Sequence, residues 1–79
     1  MRLTPLQMKA LAFIKRYTDI EAFPPTRREL GVHMEWSSPS TAQKMVDALE
    51  RKGLIERKRF GIVRLTDLGR SVLENKVAA

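Results

Sequence analysis

Seventy-nine residues, 15 Lys+Arg against 9 Asp+Glu and no cysteine give a small chain with a formal charge of +6. One domain, 1–79, is expected at this length, and a core this small has no room for two lobes around a cleft or for a deep cofactor pocket, which disfavours an enzyme. Without cysteine there is neither a disulfide framework nor a thiolate zinc site, so a cytoplasmic address is expected; no apolar run reaches the roughly 18 residues that span a bilayer.

Thr4-Pro5-Leu6-Gln7 opens the first helix: a threonine cap, proline at the first position and glutamine three residues after the cap. Leu6, Ala10, Phe13, Ile14 and Tyr17 recur at helical spacing and define one apolar stripe. Phe23-Pro24-Pro25 ends it. Thr26-Arg27-Arg28-Glu29 repeats the capping-box pattern and starts a short second helix carrying Leu30, Val32, His33 and Met34. Ser38-Pro39 starts a third, running to Lys52 with Gly53 as its left-handed cap. Two helices so closely joined form a helix-turn-helix, with Trp36 as the plug between them. Leu54-Ile55-Glu56-Arg57 and Ile62-Val63-Arg64-Leu65 then read as a β-hairpin of open register. Thr66-Asp67-Leu68 begins a fourth helix with Leu68, Val72, Leu73 and Val77 inward, fraying over residues 76–79. The order α-α-α-β-β-α is mainly helical with a small hairpin, a winged helix-turn-helix with the hairpin as wing.

On a wheel at 100° per residue, Ala42, Val46 and Leu49 face the core. Ser40, Thr41, Lys44, Ala48 and Arg51 face away. A major groove admits such a helix. Ser40 and Thr41 can exchange hydrogen bonds with base edges, Lys44 can reach guanine or phosphate, and Gln43 on the flank can pair with adenine. Ser38 places amide groups and the helix dipole near a phosphate. Lys58, Arg59 and Arg64 form a basic wing with Arg57, and Arg27 and Arg28 are placed for phosphate contacts or for pairing with Glu29 or Glu35. Asp47 and Glu50 are expected to pair with Arg51 and Lys44 or to lie where the helix leaves the groove. Phe60 can wedge into a minor groove, but folding back over the core is the expectation. His33 is expected on a helix surface, and neither metal ligands nor a catalytic residue can be assigned.

These segments together resemble the N-terminal DNA-binding domain of LexA repressors over roughly residues 3 to 65. The resemblance rests on Leu3-Thr4 with Gln7, on Pro24-Pro25-Thr26-Arg27 with Glu29-Leu30, on Ser38-Pro39, and on the run Ala48-Leu49-Glu50-Arg51-Lys52-Gly53-Leu54-Ile55-Glu56. It implies major-groove recognition by the third helix, with Ser38, Ser40, Thr41, Gln43 and Lys44 at the base-contacting positions. Glu35 stands where relatives favour glycine, so the turn must avoid left-handed backbone or accept strain of about 1 kcal/mol. The wing is shorter and more basic, and acids frequent at the recognition positions are missing. The self-cleaving serine/lysine protease part, which also dimerises the family, is not expected in a chain this short. Leu65-Thr66-Asp67-Leu68-Gly69-Arg70 resembles the segment after the wing in MarR-like proteins, where a final helix helps to dimerise.

The expectation is thus a transcriptional regulator of bacterial or phage type that binds double-stranded DNA. It would take no cofactor, small-molecule ligand or membrane partner, and would self-associate as a homodimer through its first or last helix. The alternative is a protein-interaction adaptor or anti-repressor on the same scaffold, motivated by the acids on the third helix and by the expected lack of the family's dimerising part. RNA is disfavoured, because stacking aromatics are scarce.

Overall fold

The computed structural model describes residues 3–78, with side chains placed through residue 74. The elements are α1 (Pro5–Glu21), α2 (Arg27–Met34), α3 (Pro39–Arg51), β1 (Ile55–Arg57), a 3-10 turn (Arg59–Gly61), β2 (Val63–Leu65) and α4 (Asp67–Ala78). This is the winged helix-turn-helix order.

Helix starts sit where the capping residues put them. Gln7 donates its amide N–H to Thr4 Oγ1 at 3.1 Å, and Thr4 returns its own to Gln7 Oε1 at 3.1 Å. Thr26 and Glu29 repeat the exchange at 3.1 and 2.9 Å. Each box satisfies two amides that the first helical turn leaves unpaired. At the far end of α3, Gly53 takes φ 77°, Leu54 N–H donates to the Leu49 carbonyl at 3.0 Å and Gly53 N–H to that of Glu50 at 2.9 Å. This Schellman closure turns the chain directly into β1. Glu35 ends α2 at φ 58°, so the turn accepts the left-handed strain that glycine would avoid.

The core is built from Leu11 and Ile14 of α1, Leu30 of α2, Val46 and Leu49 of α3, and Leu54, Ile55 and Val63 around the wing. Trp36 packs against it from the α2–α3 turn, as expected of a plug. The stripe on α1 is rotated from the one its spacing predicts: Leu11 is fully buried whereas Leu6 is 55% exposed. The physical reason is that α1 touches α2, α4 and β2, so its inward direction lies between these neighbours.

The hairpin pairs Ile55 with Leu65, Glu56 with Arg64 and Arg57 with Val63, which turns Ile55, Val63 and Leu65 inward. A further strand-like segment joins it. Thr26 bridges Ile62, and Val63 N–H donates to the Pro25 carbonyl at 2.9 Å. Proline has no N–H to give a ladder but its carbonyl can accept, so the Pro-Pro segment becomes an edge that locks the wing to the start of α2.

Thr66 Oγ1 donates to the Gly53 carbonyl at 2.7 Å and accepts from Gly69 N–H at 3.1 Å, capping α4. The inner face of α4 is Gly69 and Leu73. Leu68, expected inward, is exposed, because the backbone of α4 sits so close that a Cβ on Gly69 would lie 2.3 Å from the Leu54 carbonyl oxygen. Val72 is half-buried against the core, and the Val77 side chain and Ala79 lie outside the described residues.

Candidate nucleic-acid interface

Helix α3 buries Ala42, Val46 and Leu49 and exposes Ser40, Thr41, Lys44 and Arg51, the division the wheel gives. Among the described residues these four exposed side chains have no hydrogen-bond or ion-pair partner. Ser38 differs from them. It is half-buried, and its hydroxyl accepts from Ser40 N–H at 3.1 Å, so its side chain serves the helix end.

One edge of α3 carries a continuous polar strip. Arg27 Nη1, on α2, donates to Gln43 Oε1; Gln43 Nε2 donates to Asp47 Oδ1 at 2.8 Å. From the wing side, Arg57 Nη1 lies 3.3 Å from Asp47 Oδ1 and Arg57 Nε 3.0 Å from Glu50 Oε1. The expected pairing of Asp47 and Glu50 with Lys44 and Arg51 is therefore corrected. Because the Schellman turn folds β1 back along α3, Arg57 lies over the last turns of the helix and takes both acids. Alternation gave a signal for this that the reading above missed: Arg57 shares a strand face with buried Ile55.

Arg27 does not pair with Glu29 or Glu35. Glu29 is already occupied, accepting from Thr26 and from Tyr17 Oη at 2.5 Å. These bonds, that of Tyr17 foremost, hold the Glu29 carboxyl below its ordinary pKa, and the same bond pushes the Tyr17 hydroxyl up to about 12. Gln43 keeps one acceptor lone pair and one N–H beyond those used by Arg27 and Asp47, the two groups that adenine requires. Arg28 is exposed with no partner among the described residues.

On the wing, Glu56 neutralises part of the expected charge, lying 3.4 Å from Lys58 Nζ and 3.9 Å from Arg64 Nη1. Arg59 has no such partner among the described residues. Phe60 does not fold back over the core. It is 90% exposed, because a left-handed φ of 62° at the tip aims the ring outward while Ile55, Val63 and Leu65 occupy the inward places.

An open groove of about 860 Å³ separates the wing tip from the helix-turn-helix, with Phe60 and Gly61 on one side and Arg27, Arg28, Ser38 and Pro39 on the other. His33 is exposed and stacks on Phe13 with ring centroids 4.2 Å apart, a surface role as expected. Among the described residues no group of three His, Asp or Glu could hold a metal, and no helix is long and apolar enough to cross a membrane.

Known relatives share this sequence region. The chain is 46% identical over 56 residues to LexA repressor 1 of Pseudomonas putida KT2440, covering 71% of itself and 28% of that protein. It is 46% identical over 55 residues to the LexA repressor of Pseudomonas aeruginosa PAO1, covering 70% and 27%. With the LexA repressor of Ectopseudomonas mendocina it shares 45% over 56 residues, again 71% and 28%. The chain therefore spans little more than a quarter of the length of the curated relatives it matches. The family described as the LexA DNA binding domain matches residues 1–60, and together with the capped α2–α3 unit and its wing this shows that the chain belongs to that family.

Proposed function

We propose that this chain binds double-stranded DNA sequence-specifically as a winged-helix transcriptional regulator of bacterial or phage type. Helix α3 enters the major groove and the wing lies on the backbone and minor groove. The observation that carries this reading is the face of α3 on which Ser40, Thr41 and Lys44 stand exposed, with no partner among the described residues, while the opposite face is buried. Base edges in a major groove supply the missing partners. Lys44 takes guanine, Ser40 and Thr41 read by hydroxyl, and Gln43 takes adenine while Arg27 and Asp47 hold its amide. Arg28, Arg51, Lys58, Arg59 and Arg64 contact phosphates, and Ser38 presents the amides of the α3 N-terminus.

The function is binding rather than catalysis, needs no cofactor or small molecule, and belongs in the cytoplasm. Pairing of two copies on adjacent half-sites completes it. An apolar groove between α1 and α4, lined by Ala12, Ile20 and Leu73 with Lys15, Asp19 and Glu74 around it, supports self-association there. Sedimentation with DNA present tests this, and a strictly monomeric complex would contradict it. The alternative, a protein-interaction adaptor or anti-repressor, draws less support from the acids on α3, since Asp47 and Glu50 both pair with Arg57.

Anisotropy titrations against a duplex selected from a random pool and against mixed duplexes, at several salt concentrations, test the DNA reading. Lys44→Ala is expected to lower the preference for the selected duplex. Equal losses on both duplexes would remove Lys44 from base reading, and no salt-dependent binding at micromolar protein would overturn the function itself.

A further inference from the structure

Phe60 is difficult to explain from inside the molecule. Its ring is 90% exposed at the wing tip, among the described residues it makes none of the ring contacts that link Phe13, Tyr17, Phe23 and His33, and its backbone is left-handed. A bulky L residue is rarely found there, and such outliers concentrate where a ligand is engaged. The neighbouring Gly61, also at positive φ, shows that the turn has an ordinary device for such geometry close at hand. What Phe60 adds is an apolar ring on the outermost point of the wing, beside Arg59, which has no partner among the described residues.

The groove of about 860 Å³ says what that ring meets. With Ser40, Thr41 and Lys44 on base edges in the major groove, one sugar-phosphate strand passes the N-terminal turns of α2 and α3, where Arg27 and Arg28 line the groove. Phe60 and Gly61 form the opposite side. A side chain across the phosphate strand from the major groove lies in the minor groove, which at about 6 Å is wide enough for a ring though too narrow for a helix. Resting on the DNA reading above, we propose that Phe60 is a wedge that enters a base-pair step from the minor groove, partly unstacks it and kinks the duplex toward the major groove. Apolar side chains inserted in this way bend DNA by roughly 20–90°. Pyrimidine–purine steps unstack most easily, so Phe60 selects such a step at a fixed offset from the bases that α3 reads, a preference arising without any hydrogen bond to a base.

Phe60→Gly removes the ring and suits the left-handed backbone, so it folds with a melting temperature equal to or above that of the parent chain. Phe60→Leu keeps an apolar wedge. Each variant is used to select duplexes from a random pool, and each is titrated onto a selected duplex carrying 2-aminopurine at the step, with end-labels reporting bend. The parent chain is expected to enrich a pyrimidine–purine step at a fixed offset, to raise 2-aminopurine fluorescence and to shorten the end-to-end distance. Phe60→Gly keeps the bases read by α3 but loses all three signals and about tenfold in affinity, as expected for one lost aromatic–base stack. Its salt slope is unchanged, because no charge is removed, and Phe60→Leu restores part of the bend. If the parent chain selects a motif and Phe60→Gly bends and binds that duplex equally well, the wedge is overturned while the DNA reading stands. If Phe60→Gly changes only the oligomeric state, the ring serves a protein contact and the wedge is likewise overturned. Absence of any selected motif would remove both readings.

Discussion

The exposed face of α3 and the wing stand side by side but differ in how their polar groups are satisfied. On α3, Ser40, Thr41 and Lys44 have no partner among the described residues, while the strip Arg27–Gln43–Asp47 fixes the helix edge through oriented hydrogen bonds. On the wing, most cations are held: Arg57 by Asp47 and Glu50, Lys58 and Arg64 by Glu56. Counting cations along the wing therefore overstates its field, since two acids of α3 and the wing's own Glu56 reach three of its four cations. Among the described residues the wing contributes a seat, one arginine without a partner and an apolar tip, and α3 contributes unpaired hydrogen-bonding groups. Specificity carried by the hydrogen-bonding groups of α3, Lys44 among them, and affinity carried by a few cations outside that face is the division this predicts.

Separating the two regions at their common support has the largest effect. Gly69→Ala brings a methyl to 2.3 Å from the Leu54 carbonyl and 2.8 Å from Leu65 Cδ1, and the first of these is backbone that cannot swing aside. It is expected to destabilise the chain by about 3 kcal/mol, a large part of what a domain of this size has. Thermal melting followed by circular dichroism reads it as a fall of more than about 10 °C. A melting temperature within 2 °C of the parent's would mean that α4 does not seat against the wing in this way.

Asp47→Ala cuts the comparison along α3. Gln43 and Arg57 lose a common acceptor, so discrimination at the base facing Gln43 is expected to fall about tenfold, within the range for one bidentate contact. Asp47→Asn keeps an oxygen for the Gln43 amide and retains most of the discrimination. Both substitutions remove the same charge, so equal discrimination by the two, measured on duplexes differing at that base pair, would show that charge and not orientation is what Asp47 supplies.

Arg59→Ala and Arg57→Ala sharpen the wing. Removing Arg59, which has no partner among the described residues, is expected to flatten the slope of log affinity against log salt by about 0.9, one counterion. Arg57→Ala is expected to leave the slope nearly unchanged, because its charge is balanced by Asp47 and Glu50, and to lower discrimination through α3 instead. Equal slopes for the two variants would mean that the ion pairs open on DNA.

Helix starts were legible in the sequence because capping is a code within four residues: Thr4 with Gln7 and Thr26 with Glu29 each carry their own partner. The buried face of α3 was legible for a similar reason, since one strong period decides it. The wing was legible as a hairpin but not in register, because Pro25, some forty positions earlier in the chain, supplies the carbonyl that holds Val63. Gly69 takes the inward place expected for Leu68 because close approach of two backbones is a tertiary fact, favouring the residue without a side chain over the more apolar one. Of the candidate site, Ser40, Thr41 and Lys44 could be placed from the wheel alone. The partners of Gln43 and Asp47 could not, for they come from α2 and β1, and the ring of Phe60 points outward through a backbone angle that no residue preference announces.

The smallest effect lies in the scaffold behind α3, where the Tyr17 hydroxyl ties α1 to the capping box of α2 through Glu29. Tyr17→Phe keeps the ring against Phe13 and removes this one bond, so a fall in melting temperature of a few degrees at neutral pH is expected. Its pH dependence follows from the two groups. The folded Glu29 pKa lies below the unfolded value of about 4.3, so its contribution is complete above that pH and is lost as pH falls through the folded value. The Tyr17 pKa is raised to about 12, so its contribution is complete below the unfolded value near 10 and is lost as pH rises through about 12. The difference between parent and variant should therefore be constant from about pH 5 to pH 9 and shrink on either side. Because the bond belongs to the helix-turn-helix and not to the wing, the salt slope of DNA binding should stay that of the parent. A slope that changed with Tyr17→Phe would show that the two regions are coupled through α2, whose Arg27 holds Gln43 at the other end of the same first turn.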